Sequence, residues 1–156
     1  MTVYLVRHAM AGARSKWSAD DRTRPLTSQG RHQAADLVDL FAEFRITRVL
    51  SSPYRRCIET VAPVAAAIGV NVEIHEALAE GPGGPALKLA RSLAREQAVL
   101  CSHGDIIPSI LEALVVQEAL SLGPDAKCQK ASTWILEPCV SGLGSFSSAS
   151  YVPPPR

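Results

Sequence analysis

A chain of 156 residues, 47% hydrophobic and 20% charged, has enough aliphatic side chains for one packed core and too little net charge for a disordered polymer. A formal charge of +1 leaves no basic surplus, which excludes nucleic acid and anionic membrane as main partners and makes any positive field local. No apolar run approaches the ~18 residues of a spanning helix, and the four cysteines, Cys57, Cys101, Cys128 and Cys139, form no CxxC pair, so a cytoplasmic protein with reduced thiols is expected.

Val3, Tyr4, Leu5 and Val6 are bulky or β-branched throughout, which predicts a strand buried on both faces and ending near Arg7. Residues 9–26 hold Gly12, Ser15, Ser18, Asp20, Asp21, four basic side chains and Pro25, and read as a long loop of the kind that carries function. Thr27 is placed to cap a helix whose buried face is Ala34, Leu37, Val38, Phe41 and Phe44. A second short strand, Arg48 to Ser51, leads into a helix start at Ser52-Pro53 with Cys57, Val61, Ala65 and Ile68 on the buried face. Pro63 removes a backbone donor in mid-helix and is expected to kink or split it.

Asn71 to Ile74 predicts a third strand, and the Gly81-Pro82-Gly83-Gly84-Pro85 break precedes a helix from Ala86 to Ala94. Ala98 to Cys101 predicts a fourth buried strand, followed after Ser102-His103-Gly104-Asp105 by a helix from Ile106 to Ala119 whose Pro108 falls in the first turn. Alternating strands and helices imply an α/β fold, a three-layer αβα sandwich around a mostly parallel sheet with right-handed crossovers. Thr133 to Leu136 and Ser145 to Val152, with a turn around Gly142 and Gly144, predict an antiparallel edge hairpin, and Pro153 to Pro155 a frayed tail. Neither a repeat nor a linker divides the chain, so residues 1–156 are expected to form one domain.

In open parallel sheets ligands collect outside the carboxyl ends of the strands. Arg7-His8 follows the first strand and Ser102-His103-Gly104 the fourth, while Arg55 and Arg56 open the helix after the second. Imidazoles, guanidiniums and helix amides at one sheet edge suit a phosphoryl dianion. Histidine is a competent nucleophile when one ring nitrogen is neutral and the other donates a hydrogen bond that fixes the tautomer. No metal-ligand spacing accompanies the cluster, so neither a metal nor another cofactor is expected.

Arg7-His8-Ala9, Leu26-Thr27 with Gly30 and Gln33-Ala34, Ser52-Pro53 with Arg56 and Thr60, and Ser102-His103-Gly104 stand in the order of four motifs of one superfamily. The chain resembles the histidine phosphatases, the phosphoglycerate mutase-like proteins, over nearly its whole length. Its size and its Arg14 to Pro25 loop resemble the compact SixA branch, and its terminal Tyr-Val-Pro-Pro-Pro the phosphatase domain of actinobacterial Nudix fusion hydrolases, although a Nudix glutamate motif is absent. The resemblance implies that His8 carries the phosphoryl group and that Arg7, Arg56 and His103 clamp its oxygens, with Arg55 a bystander. It also implies a general acid in the loop after the third strand, Glu80, with Glu76 as the competing choice.

Gly104 of the Ser-His-Gly motif, and Arg14 and Lys16 of the loop, are candidate substrate-binding residues; Arg22 and Arg24 could join them on distal phosphates or, mixed with Asp20 and Asp21, simply keep the loop solvated. His32 and His75 lack partner motifs and read as structural, Trp17 as a loop anchor, and Trp134 and Cys101 as core. The expected activity is metal-independent phosphohydrolysis of a phosphorylated metabolite or nucleoside polyphosphate. Hydrolysis of a phosphohistidine protein is the first alternative, and a non-catalytic phosphate- or partner-binding module the alternative of another class. Mutase chemistry ranks below hydrolysis because a chain this short leaves little room for the insertions that enclose a mutase site.

Overall fold

The first strand, β1 (Val3–Arg7), sends alternate side chains into two separate cores, Val3 and Leu5 to one face and Tyr4 and Val6 to the other. The structure is a computed structural model that describes residues 1–124, 126–140 and 144–156. Helix α1 (Ser28–Ala42), strand β2 (Arg48–Ser51), helix α2 (Arg55–Ile68) and strand β3 (Val72–Ile74) follow β1. Then come helix α3 (Gly84–Ser92), strand β4 (Ala98–Ser102), helix α4 (Ile106–Glu118) and strands β5 (Thr133–Pro138) and β6 (Phe146–Val152).

The six strands form one sheet in the order β3-β2-β4-β1-β5-β6. The first four positions are mutually parallel and β5 and β6 are antiparallel additions at the β1 side, as the alternation of elements predicts. Leu50 of β2 and Leu100 of β4 pack with Ala86, Ala90, Ile106, Ile110 and Leu114 of α3 and α4. Val49, Val99 and Cys101 pack on the other face with Leu37, Phe41, Val61 and Val64 of α1 and α2. Each fully buried Leu, Ile or Phe contributes roughly 2 kcal/mol relative to exposure, and both faces of the sheet are covered, giving the three layers.

Several boundaries depart from the sequence reading: α3 runs Gly84–Ser92 instead of Ala86 to Ala94, and β4 continues to Ser102. Helix α2 begins at Arg55, leaving Ser52 and Pro53 in the turn before it, and it runs through Pro63 without a break. One missing donor costs less here than exposing the apolar face on either side of Pro63, where Val61, Val64 and Ala65 are buried. Strand β5 extends past Leu136 to Pro138, where the register with β6 shifts at a bulge that accommodates the proline. Of the two hairpin glycines, Gly142 lies outside the described residues, and Gly144 takes a left-handed φ of 83°.

Registers decide where the chemistry goes. Arg7 of β1 pairs with Ser102 of β4, and Ser51 of β2 with Cys101, so the carboxyl ends of three strands finish level. His8, Ser52 and His103 are therefore the first residues beyond one sheet edge. Backbone bonds from His8 N to the Ser102 carbonyl (3.0 Å) and from Ser52 N to the Cys101 carbonyl (3.0 Å) extend the ladders to them.

Candidate active site

The two helix motifs hold the His8 segment from opposite sides. Thr60 Oγ1 of α2 accepts from Ala9 N (2.9 Å) and donates to the Arg56 carbonyl (2.6 Å), tying the residue after His8 to the turn of helix that carries Arg56. On α1, Thr27 caps the helix through Gly30 N (3.1 Å), and its own amide and hydroxyl donate to the Met10 carbonyl. Gln33 Oε1 accepts from Met10 N (3.0 Å), and Gly30 is packed so tightly that a Cβ would sit 2.0 Å from the Met10 oxygen. Ala34 fits against Ala9, Ala11, Leu26 and Ala131. The Thr27, Gly30, Gln33 and Thr60 positions thus fix the backbone of residues 9 and 10, and through it the His8 ring.

His8 Nδ1 lies 2.8 Å from the Ala9 carbonyl, which can only accept, so Nδ1 carries the hydrogen and Nε2 the lone pair. The ring stands edge-on to His103 with centroids 5.5 Å apart. Burial pushes the His8 pKa down to about 3; the bond to Ala9 opposes this, and the charges of Arg56, His103 and Arg7 add to it. A free imidazole titrates near 6.5, so between these values the unfolded chain binds a proton that the folded one excludes, and stability falls as pH drops through that window. Urea midpoints of the wild type are therefore expected to decline relative to those of His8→Ala between about pH 7 and pH 4. Parallel midpoints would show that the imidazole titrates normally.

His103 is 1% exposed, its Nε2 2.8 Å from Ser52 Oγ and its Nδ1 3.5 Å from Glu80 Oε1. Arg56 is fully buried and donates to the Asp21 carbonyl (3.0 Å), Asp21 Oδ2 (3.2 Å) and Glu80 Oε1 (2.7 Å), with its Cζ 4.8 Å from the centre of the Tyr54 ring. Arg7 donates to the Cys128 carbonyl (2.6 Å) and lies against Gly104, where a Cβ would come 2.7 Å from its Cζ. Arg7 Nε, Arg56 Nε and His103 Nδ1 are buried without a hydrogen-bond partner, three nitrogens of one cluster.

These side chains line a cavity of about 520 Å³ with Arg14, Arg24, Glu80, Gly104, Asp105 and Lys130 among the walls. Its cations, Arg7, Arg14, Arg24, Arg56 and Lys130, outnumber its carboxylates, Glu80 and Asp105, so a chain of near-neutral charge has a strongly positive site. Glu80 also accepts from Arg14 (2.8 Å), and its loop is held by Gly81 N donating to Asp105 Oδ2 (3.2 Å).

The cavity therefore gathers His8, Arg7, Arg56, His103, Glu80, Arg14 and Gly104 of the sequence-derived candidates. It does not gather Lys16, which is exposed and faces an adjoining depression with Trp17, Pro25 and Thr27, because the turn at Arg14–Lys16 carries its side chain away from Arg14. Glu76 is also outside, paired with Arg22 at 3.4 Å, and Arg55 is turned out toward Glu59. His32 is exposed, and His75 accepts from the Ala77 amide. Trp17 donates to the Asp20 carbonyl, while Trp134 and Cys101 are core, the Cys101 thiol pushed well up by burial.

Two participants, Asp21 and Lys130, were not picked out from the sequence as site residues, and a third, Arg24, was weighed there against a purely solvating role. Asp21 bridges Arg56, Arg24 and Arg14; burial raises its pKa, but the Arg24 hydrogen bond and the three guanidinium charges outweigh that and hold it low. Arg24 is buried, donates to the Gly12 carbonyl and faces the cavity instead of solvating the loop. Lys130 carries no motif at all. Among the described residues, no group of three or more His, Cys, Asp or Glu is placed to hold a metal ion, and no helix is long and apolar enough to cross a membrane.

The sequence model of the Histidine phosphatase superfamily (branch 1) matches residues 3–89, more than half of the chain. The chain belongs to that superfamily. Its relatives include a curated protein of Mycolicibacterium smegmatis, an 8-oxo-(d)GTP phosphatase, which is 33% identical over 99% of this chain. The present chain spans 48% of that protein's length. Among solved structures, the SixA protein of Agrobacterium tumefaciens is 23% identical with a TM-score of 0.74, covering 88% of this chain and 91% of its own. The SixA protein of Nakamurella multipartitia is 20% identical with a TM-score of 0.75, covering 98% and 95%. Both likenesses establish the fold they share with this chain.

Proposed function

We propose that the chain is a metal-independent phosphohydrolase in which His8 is transiently phosphorylated, acting on a phosphorylated metabolite or nucleoside polyphosphate. The observation that carries this reading is the His8 ring, neutral and held by Ala9 so that Nε2 bears the lone pair in a cavity of guanidiniums. Nε2 attacks phosphorus as the bond to the leaving oxygen breaks, and Arg7, Arg56 and His103 take up charge on the three transferring oxygens. All three side chains line the cavity, so their N–H groups are the donors proposed for those oxygens. Glu80, released from Arg56 by the incoming phosphoryl group, takes up the proton that the substrate monoanion carries in and passes it to the leaving oxygen. It then accepts one from the water that cleaves the phosphorus–nitrogen bond and frees phosphate.

The 33% identity to an 8-oxo-(d)GTP phosphatase supports a nucleotide among the substrates. The four cysteines are free, which fits a reducing compartment, and the cytoplasm is the proposed location. The test is hydrolysis of an aryl phosphate and of radiolabelled nucleotides with chelator present, quenched in alkali and in acid. Turnover is expected to survive the chelator, and label to remain on the protein in alkali and leave it in acid, as a phosphohistidine does. Loss of turnover on chelation, or an enzyme that never carries label, would overturn the reading.

A further inference from the structure

Of the cavity's cations, Arg56 is spoken for by the phosphoryl chemistry and by Asp21 and Glu80, Arg14 is paired with Glu80 and Asp21, Arg24 with Asp21, and Arg7, without an ion pair among the described residues, is held by the Cys128 carbonyl and assigned to the transferred group. Lys130 differs. Among the described residues it makes no ion pair, and the polar contact of its ammonium is the Met10 thioether at 3.9 Å. It alone of the four lysines is half-buried, Lys16, Lys88 and Lys127 being exposed. Holding a flexible, strongly hydrated ammonium partly out of water beside guanidiniums is unfavourable unless an anion joins it.

The backbone holds Lys130 at this place. Ala131 N donates to the carbonyls of both Arg7 (3.1 Å) and His8 (3.2 Å), so the residue before it stands beside the nucleophile. Ser132 N closes the turn onto the Gln129 carbonyl (3.0 Å), and Ala131 takes a φ of 64°, a left-handed conformation that a non-glycine residue rarely adopts. Ala131 is fully buried against Ala9, Ala11, Leu26 and Ala34, the packing that holds it there.

We infer that Lys130 binds a second phosphate adjoining the one His8 attacks, so that the site selects phosphoanhydrides over isolated phosphate monoesters. This rests on the hydrolase reading given above. The ammonium grips the leaving phosphate as a point charge, while the transferred group sits on Arg7, Arg56 and His103. In the reaction the anhydride bond breaks, the leaving phosphate keeps its bridging oxygen and takes the proton supplied there, and the transferred phosphoryl passes to His8 and then to water.

The test compares the wild type, Lys130→Ala and Lys130→Arg on guanosine diphosphate, inorganic pyrophosphate and an aryl phosphate. In Lys130→Ala the ratio of kcat/KM for either anhydride to that for the aryl phosphate is expected to fall about tenfold, chiefly through KM, the worth of one charge-assisted hydrogen bond. Lys130→Arg should restore most of it. A ratio unchanged from wild type, or a wild type that hydrolyses the aryl phosphate but neither anhydride, would overturn the assignment of Lys130 alone. A wild type that turns over no phosphoester would overturn the hydrolase reading, and the inference with it.

Discussion

His8→Ala is expected to lower kcat on an aryl phosphate by at least about 10⁴-fold, with the fold and anion binding retained. The alanine removes the group proposed to form the covalent intermediate, while the Thr60 and Gln33 bonds that hold residues 9 and 10 are made to backbone and survive. The cations lining the cavity are also untouched, so inorganic phosphate should still bind with a dissociation constant within a few-fold of wild type. Stopped assays read the first quantity and calorimetric titration with phosphate the second. A variant as active as wild type, or a wild type that binds phosphate tightly and hydrolyses nothing, would favour the non-catalytic binding module instead.

Arg56→Ala should damage both activity and stability. Its guanidinium is fully buried, donates to the Asp21 carbonyl and to one carboxylate oxygen each of Asp21 and Glu80, and stacks on Tyr54. Removing it leaves a buried void and takes one guanidinium from each carboxylate, although Asp21 keeps Arg24 and Arg14 and Glu80 keeps Arg14, at a cost of about 2–3 kcal/mol in unfolding free energy. It also removes a donor aimed at the transferring oxygens, worth about 10²- to 10³-fold in kcat/KM. Arg56→Lys separates the two effects: a lysine restores the charge and part of the stability, but cannot reproduce the planar fork that reaches Asp21 and Glu80 together, so activity should stay far below wild type. Denaturant melts and aryl phosphate kinetics on both variants check this. Hydrolysis by Arg56→Ala within threefold of wild type would remove Arg56 from the proposed mechanism.

Much of this was legible in the sequence because it depends on near neighbours along the chain. The all-apolar runs at β1 and β4 announce strands buried on both faces, and the residue after each such strand in a parallel sheet arrives at its carboxyl edge, which places His8 and His103 together. Thr27 and Gly30 mark a helix cap, and Arg56 and Thr60 lie one helical turn apart, so the motif spacing itself states which side chains share a face. The sequence alone thus determined the layered α/β fold and that His8, Arg56 and His103 gather at one sheet edge, since both follow from local periodicity and strand order.

Tertiary structure decided which other charges meet that cluster. The path of residues 9–26 turns Arg24 and Asp21 inward and Lys16 outward, although all three are polar members of one loop and composition cannot rank them. Pro63 is carried inside an unbroken helix because the packing of α2 on the sheet outweighs one absent donor. Lys130 reaches the site only because β5 runs antiparallel beside β1 and the turn before it hydrogen-bonds to Arg7 and His8. These outcomes depend on contacts between residues far apart in the chain, where the free energy of packing selects a loop path or a strand partner that no local pattern encodes.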